Sequence, residues 1–357
     1  MRAIDFFCGA GGLTRGLLDA GIEVVAGFDV DGRCKETYER NNRPARFYEE
    51  DIYRISPATV WRVSGTRRAT DLLLAGCAPC QPFSKHKNSK PSHADRAPCN
   101  SDSDSKLLGA FARLVEVIQP GQVLIENVPG LTRVRGFSTY RRLVHTLRAL
   151  NYSLAEGVLD ANRFGVPQTR RRYVLIAISG RAATLPEPLL RPRLRDCTTV
   201  RDAISHYPPI GAGERHPFVL NHEAAALSDI NLKRMLCTPH DGGDRRAWPD
   251  ELKLDCHKGN HEGHTDVYGR MAWGRAAPTL TGRCNSLSNG RYGHPCQDRA
   301  ISLREAASLQ TFADGYVFYG SNQHIARMIG NAVPVRFAEA LGRHVVSLRY
   351  STGSQAA

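Results

Sequence analysis

The chain has 357 residues, with 48 Lys and Arg against 35 Asp and Glu, a formal net charge of +13 and 41% hydrophobic residues, which supports a packed core, excludes wholesale disorder and calls for two domains or one with a large insertion. Ten cysteines over this length are no small disulfide scaffold, no apolar run is long enough to span a bilayer, and no apolar secretory core opens the chain, so free thiols in a reducing cytoplasm are expected. The positive charge favours a polyanionic partner through release of condensed counterions, although a merely basic surface would give the same total.

In chain order, residues 4–7 predict a short buried strand ending in Gly9, Gly11 and Gly12, with a helix over 13–20. Strands follow at 23–28, ending at Asp29 and Asp31, and at 46–48, ending near Asp51. The run 71–75 (DLLLA) predicts a buried strand leading into Gly76-Cys77-Ala78-Pro79-Cys80. Residues 85–105, polar and rich in Ser, Pro and charge, predict a long loop placed where a lid would be; a solvated connector is the alternative. A helix over 107–118, a strand over 122–125 ending at Glu126-Asn127, a helix over 140–150 and a strand over 172–178 complete the pattern. This alternation implies a mostly parallel sheet covered on both faces, and the notable polar residues fall just after its strands, where ligands bind in such folds. From about 181 to 300 the alternation fades into Pro, Gly, His and Arg. Helices return at 303–310 and 335–348.

Glycines between a first strand and helix let a ligand approach the backbone closely. The dinucleotide pattern G-x-G-x-x-G is not met, because position 14 is Thr14. Asp29, about 20 positions on, suits two ribose hydroxyls. An adenosine-type cofactor without a pyrophosphate clamp fits these residues, as does a plain tight turn. Pro79-Cys80-Gln81-Pro82 places a cysteine between residues that fix the backbone, which aims a nucleophile. The alternative is a Cys77/Cys80 redox or zinc pair, but no second C-x-x-C exists to complete a four-thiolate site. Glu126 offers a carboxyl at the same sheet edge. Arg170 and Arg172, at alternate positions, are expected to face one site; a solvated basic edge is the other possibility.

These blocks resemble the DNA (cytosine-5)-methyltransferase family over almost the whole chain outside 181–270. They are Asp5-Phe6-Phe7-Cys8-Gly9-Ala10-Gly11-Gly12, Asp29, Asp51-Ile52, Pro79-Cys80-Gln81-Pro82-Phe83-Ser84, Glu126-Asn127-Val128, Gln168 through Arg172, Arg304-Glu305 with Leu309-Gln310, and Gly330-Asn331-Ala332-Val333-Pro334. The resemblance implies a doubly wound, mostly parallel Rossmann-like α/β sheet, the S-adenosylmethionine-dependent methyltransferase fold, with a smaller irregular target-recognition domain. It places the catalytic and cofactor-binding domain at 1–180, target recognition at 181–320 and a returning C-terminal segment at 321–350, whose helix packs on the first domain. Phe7, Gly9, Gly11, Gly12, Asp29, Val30, Asp51, Ile52, Pro79, Asn331 and Ala332 would hold S-adenosyl-L-methionine, with Asp29 on the ribose, Val30 on the adenine and Asp51 on its exocyclic amine. Cys80 would be the nucleophile and Glu126 the carboxyl on the cytosine ring, with Arg170 and Arg172 completing the catalytic set.

The implied partner is double-stranded DNA from which the target base is flipped, with a restriction endonuclease as a functional companion and a monomer as the acting form. A tRNA-directed member and a catalytically silent DNA-binding protein share the fold. Position 335 is Val where many relatives carry a second Pro, and the segment after Cys80 is more Ser- and Pro-rich than usual. Arg245, Arg246, Arg270, Arg275, Arg283 and Arg291 are candidates for guanine or phosphate contact. No metal is required, and Cys237, His240, Cys256, His257, His261 and His264 match no standard zinc finger.

Overall fold

The computed structural model describes residues 1–79, 101–132, 138–189, 198–255 and 266–350. Seven strands, β1 (Arg2–Phe6), β2 (Glu23–Asp29), β3 (Arg46–Glu49), β4 (Leu72–Gly76), β5 (Gln122–Asn127), β6 (Tyr152–Asp160) and β7 (Arg171–Ser179), form one sheet in the order β3-β2-β1-β4-β5-β7-β6. The first five pair in parallel, and β7 runs antiparallel to both β5 and β6. This is the doubly wound, mostly parallel α/β arrangement that the sequence implies. The strand β6 escapes sequence analysis because most of it is only half-buried and Ser153, Glu156 and Gly157 interrupt its apolar residues.

The central strands β4 and β5 are buried along their whole length, as strands covered on both faces must be. Phe6 stacks on Phe28 and meets Phe111 edge-on, each at 5.5 Å between ring centres, at the middle of that core. Helices α1 (Gly12–Asp19), α2 (Lys35–Asn41), α3 (Pro57–Ser64), α4 (Ser101–Ile118) and α5 (Ser138–Ala149) accompany these strands. Helix α4 takes in Ser101–Ile118, so the last part of the segment expected as a loop is helical; residues 85–100 lie outside the described residues. The Ser and Asp residues of 101–105 carry no apolar period, which is why the sequence hides that part of the helix.

Contacts divide the chain into two units. The first comprises Met1–Asp160, Arg171–Glu187 and Ala338–Ala357, and the second Ala161–Arg170 and Pro188–Phe337. These limits differ from 180/181 and 320/321, because the ten residues before β7 and the chain up to 337 make their contacts in the second unit. Most of helix α10 (Val335–Tyr350) belongs to the first unit. Gly342 lets it approach α1: a Cβ there would fall 2.8 Å from Ala20 Cβ and 3.1 Å from Leu17 Cδ2.

Among its described residues the second unit has short helices, α6 (Val200–Ile204), α7 (Asp229–Leu236), α8 (Leu303–Leu309) and α9 (Asn322–Asn331), with isolated bridges in place of a sheet. Irregular backbone leaves carbonyls that need donors. Buried arginines supply them. Arg270, fully buried, donates to the carbonyls of Thr238 (2.9 Å), Met235 (2.8 Å), His294 (3.1 Å) and Gln297 (2.6 Å), and pairs with Asp298. Arg299 donates to the Ile210 carbonyl at 3.0 Å and grips Glu305 with two bonds of 2.7 and 2.8 Å. Glu305 also accepts from the Ser302 amide at 2.7 Å, completing the capping box of α8. A small apolar cluster of Met235, Trp248, Leu252, Tyr268 and Leu287 lies under the Arg234 guanidinium, which sits 5.3 Å from the Trp248 ring centre.

His294 lies in this charged interior, and burial pushes its pKa down to about 4, with Glu305 only partly opposing. An unfolded histidine titrates near 6.5, so between pH 6.5 and 4 the unfolded chain binds the extra proton. Stability must therefore rise with pH through that window and fall on acidification, by roughly 2–4 kcal/mol from this residue. Urea unfolding at pH 7.5, 6, 5 and 4.5 should show that slope in the wild type and a flatter one in His294→Gln. Equal slopes would mean that His294 is not held neutral.

Candidate active site

The turn after β1 is shaped by one unusual residue and two glycines. Phe7 has φ +61°, a left-handed conformation rare for an aromatic side chain and costing on the order of 1 kcal/mol or more. Gly9 (φ +50°) faces open space among the described residues: a Cβ there would meet none of their atoms within 4 Å. Gly11 (φ +89°) is the reverse, since a Cβ would fall 2.3 Å from Asn42 Nδ2. Gly12 then opens α1, and no side chain caps that helix.

At the end of β2, Asp29 ties this turn down. Its Oδ2 accepts from the Gly9 amide at 2.8 Å and its Oδ1 from the Asp31 amide at 3.0 Å. Burial raises its pKa, and those backbone N–H groups oppose the rise. Val30, beside it, is 72% exposed. Beneath the turn, Asp5 is fully buried; Thr14 donates to its Oδ2 at 2.7 Å, while its Oδ1 has no hydrogen-bond partner among the described residues. Burial pushes the Asp5 pKa up to about 7, against the Thr14 bond, and the nearby Asp29 charge adds to the rise. Past β3, Asp51 Oδ1 accepts from the Tyr53 amide at 3.0 Å and Ile52 is buried.

The second cluster lies where β4 and β5 end. Glu126, the penultimate residue of β5, is 2% exposed. Arg172, near the start of antiparallel β7, places Nε 3.0 Å from Glu126 Oε1. The N–H does not point along that line, so the contact is Coulombic and Oε1 accepts no hydrogen bond among the described residues. The other oxygen, Oε2, accepts from the Cys77 thiol at 2.8 Å. Next door, Asn127 Nδ2 donates to the Ala78 carbonyl at 3.2 Å, and the Cys77 amide donates to the Phe6 carbonyl at 3.4 Å. The exits of β1, β4 and β5 are thus stitched together immediately before Pro79, which is exposed. Cys80, expected as the nucleophile, lies outside the described residues.

Arg170 does not accompany Arg172 in this pair. It precedes β7, so strand alternation does not govern it, and it belongs to the second unit. There its guanidinium donates to the carbonyls of Ala332 (3.0 Å), Leu280 (3.3 Å) and Gly330 (3.4 Å). Asn331 and Ala332, at the end of α9, belong to the same unit; Asn331 is exposed and Ala332 half-buried. Of the arginines singled out as nucleic-acid contacts, Arg270 is consumed by the interior, Arg291 donates to the Gly242 carbonyl at 2.9 Å, and Arg246 is chelated by Asp244. Arg275 and Arg283 are exposed. Cys237 and His240 are exposed as well, whereas Cys256, His257, His261 and His264 lie outside the described residues. No described helix is long and apolar enough to cross a membrane.

Sequence analysis missed Cys77 as a partner of Glu126, having weighed it only against Cys80. The signal was the spacing of two strand ends, both carrying polar groups at one sheet edge.

The chain is similar to known proteins along nearly its whole length. Residues 1–347 match the family model for C-5 cytosine-specific DNA methylase. The chain is 38% identical over 347 residues to the Type II methylase M.HgiDII of Herpetosiphon aurantiacus, covering 96% of this chain and 94% of that one. It is 31% identical to the Type II methyltransferase M1.HphI of Haemophilus parahaemolyticus, over 97% and 86% of the two chains. Among solved structures, a putative DNA modification methyltransferase from an Escherichia coli prophage superposes with a TM-score of 0.74 at 21% identity, covering 98% of this chain and 99% of that one. The fold is likewise that of the Schizosaccharomyces pombe Dnmt2 methyltransferase, with a TM-score of 0.63, 17% identity and coverage of 98% and 99%. The chain belongs to the C-5 cytosine-specific DNA methylases, enzymes that methylate carbon 5 of cytosine in DNA.

Proposed function

We propose that the chain methylates a flipped-out cytosine within a specific duplex sequence, with Cys80 as nucleophile and S-adenosyl-L-methionine as methyl donor. The observation that carries this reading is the nearly buried Glu126 carboxylate, held beside Arg172 at the strand edge that runs into Pro79-Cys80. Cytosine carbon 5 is a poor nucleophile. Addition of the Cys80 thiolate to carbon 6, with Glu126 first taking up a proton and then passing it to N3, makes carbon 5 enamine-like. After methylation, loss of the carbon 5 proton to water expels the thiolate, and return of the N3 proton to Glu126 restores the ring. Arg172 keeps Glu126 facing the base, and extrusion of the base costs a few kcal/mol that protein contacts offset.

The residues present fit the donor. The open side of Gly9 admits a ligand against the backbone, Asp29 offers carboxylate lone pairs for ribose hydroxyls, and exposed Val30 offers a surface for the adenine. Asp51 is the acceptor for the exocyclic amine, and Phe7, Gly11, Gly12, Ile52 and Pro79 shape the walls. When bound, the donor supplies a methyl group on a sulfonium, which needs no metal. Asn331 and Ala332 remain cofactor candidates by resemblance, and within the second unit Arg170 positions their turn. Names of relatives as Type II enzymes support a functional pairing with a restriction endonuclease. A single copy suffices, since Cys80, Glu126 and Arg172 come from one chain, and the second unit reads the DNA sequence.

Bisulfite sequencing of DNA from a methylation-free bacterium expressing this gene should reveal one methylated sequence motif, lost with Cys80→Ala. The purified variant should still bind DNA and cofactor, and full turnover by it would remove Cys80 from the mechanism. Because Asp29 both ties down Gly9 and faces the cofactor, Asp29→Ala should raise the cofactor KM by about 10-fold or more, with Asp29→Asn losing less. Unchanged KM in both would refute the ribose assignment. Arg275→Ala and Arg283→Ala should each lower the slope of log K against log salt by about one, as lost phosphate contacts do. Wild-type slopes would exclude both residues from the DNA interface.

A further inference from the structure

Glu126 has two oxygens in unlike surroundings. Oε2 is occupied by the Cys77 thiol at 2.8 Å, while Oε1 stands 3.0 Å from Arg172 Nε and accepts no hydrogen bond among the described residues. We infer that Cys77 is a positioning residue whose thiol selects the oxygen of Glu126 that meets the cytosine, engaging Oε2 and presenting Oε1. This rests on Glu126 being the carboxyl that contacts the base.

The sulfur is well placed to set a direction. Its own backbone amide is held by the Phe6 carbonyl, and the next residue's carbonyl by Asn127, the neighbour of Glu126. Two consecutive residues leaving β4 thus grip two consecutive residues ending β5, one by thiol to carboxylate and one by amide to carbonyl. The thiol fixes the carboxylate plane relative to a backbone that cannot drift. Its chemistry matters as much as its place. A thiol is a weak, uncharged donor, so it directs the carboxylate without bringing a second positive charge to the Arg172 side. A carboxylate free to rotate would present either oxygen, and a misaimed proton donor lowers the rate of the step it serves without changing how tightly substrate binds.

The test compares wild type, Cys77→Ala, Cys77→Ser and Glu126→Gln in kcat and in KM for duplex DNA and for S-adenosylmethionine. It also measures release of tritium from carbon 5 of labelled cytosine in duplex DNA without donor, which reports reversible thiolate addition at carbon 6. Loss of one hydrogen bond predicts that Cys77→Ala lowers kcat and tritium release together by about 3- to 10-fold, with both KM values within about twofold. Cys77→Ser, which restores a donor, should recover most of both rates. Should Cys77→Ala melt early, Cys77→Val fills the space without a donor and carries the same expectation. Wild-type rates in the donorless variant would overturn the inference, as would a Ser variant as slow as the Ala one. If wild type neither methylates nor exchanges, or if Glu126→Gln matches it, the base-contact reading of Glu126 fails instead. Activity lost with Glu126→Gln and kept with Cys77→Ala removes only the role of Cys77.

Discussion

A carboxylate as deeply buried as Glu126 is costly to keep out of water unless a positive charge lies against it. Arg172 meets that need, and the direction of β7 is what brings it there. In a wholly parallel sheet the start of a strand lies at the opposite edge from the end of its neighbour. Because β7 is antiparallel to β5, Asn127 pairs with Tyr173 and Glu126 with Val174, so the first residues of one strand stand beside the last of the other. The one reversed strand pairing with β5 thereby places a cation at the carboxyl edge, where the parallel strands deliver their polar ends.

The same edge holds the glycine-rich turn after β1, but its constraints are conformational. Phe7 is left-handed, Gly9 borders open space, and Gly11 leaves no room for a side chain. Asp29 holds this strained turn through the Gly9 amide, so one carboxylate organises the loop and, in the proposed site, would also face the ligand. Any change at Asp29 therefore mixes loop order with ligand contact. The carboxyls at this end, fully buried Asp5 and half-buried Asp29, are held by a hydroxyl and backbone N–H donors, whereas at the β5 end Glu126 is balanced by Arg172.

Much of this was legible in the sequence. Strands buried on both faces announce themselves as apolar runs, and their ends as Gly, Asp or Glu, which is why β1, β2, β4 and β5 and the residues just beyond them could be located. Glu126 and Arg172 were found together for that reason. Where burial is partial, as in β6, the apolar pattern dissolves. Arg270 and Arg291 looked like nucleic-acid contacts because nothing in sequence tells an arginine that satisfies internal carbonyls from one that faces phosphate; the distinction lies in where irregular loops leave their carbonyls. The Cys77–Glu126 contact joins residues 49 apart, and no local pattern encodes it.

The connectivity of the two units has a consequence for recombination between relatives. The chain passes from one to the other four times, at 160/161, 170/171, 187/188 and 337/338. Exchanging 188–337 for the corresponding stretch of another enzyme would leave behind ten residues of the same unit, among them Gln168 and Arg170. Those two bond the backbone of residues 280, 309, 330 and 332 through side chains that the donor sequence never met. A functional chimera must carry 161–170 with the exchanged block, so the inheritable module in this chain is discontinuous.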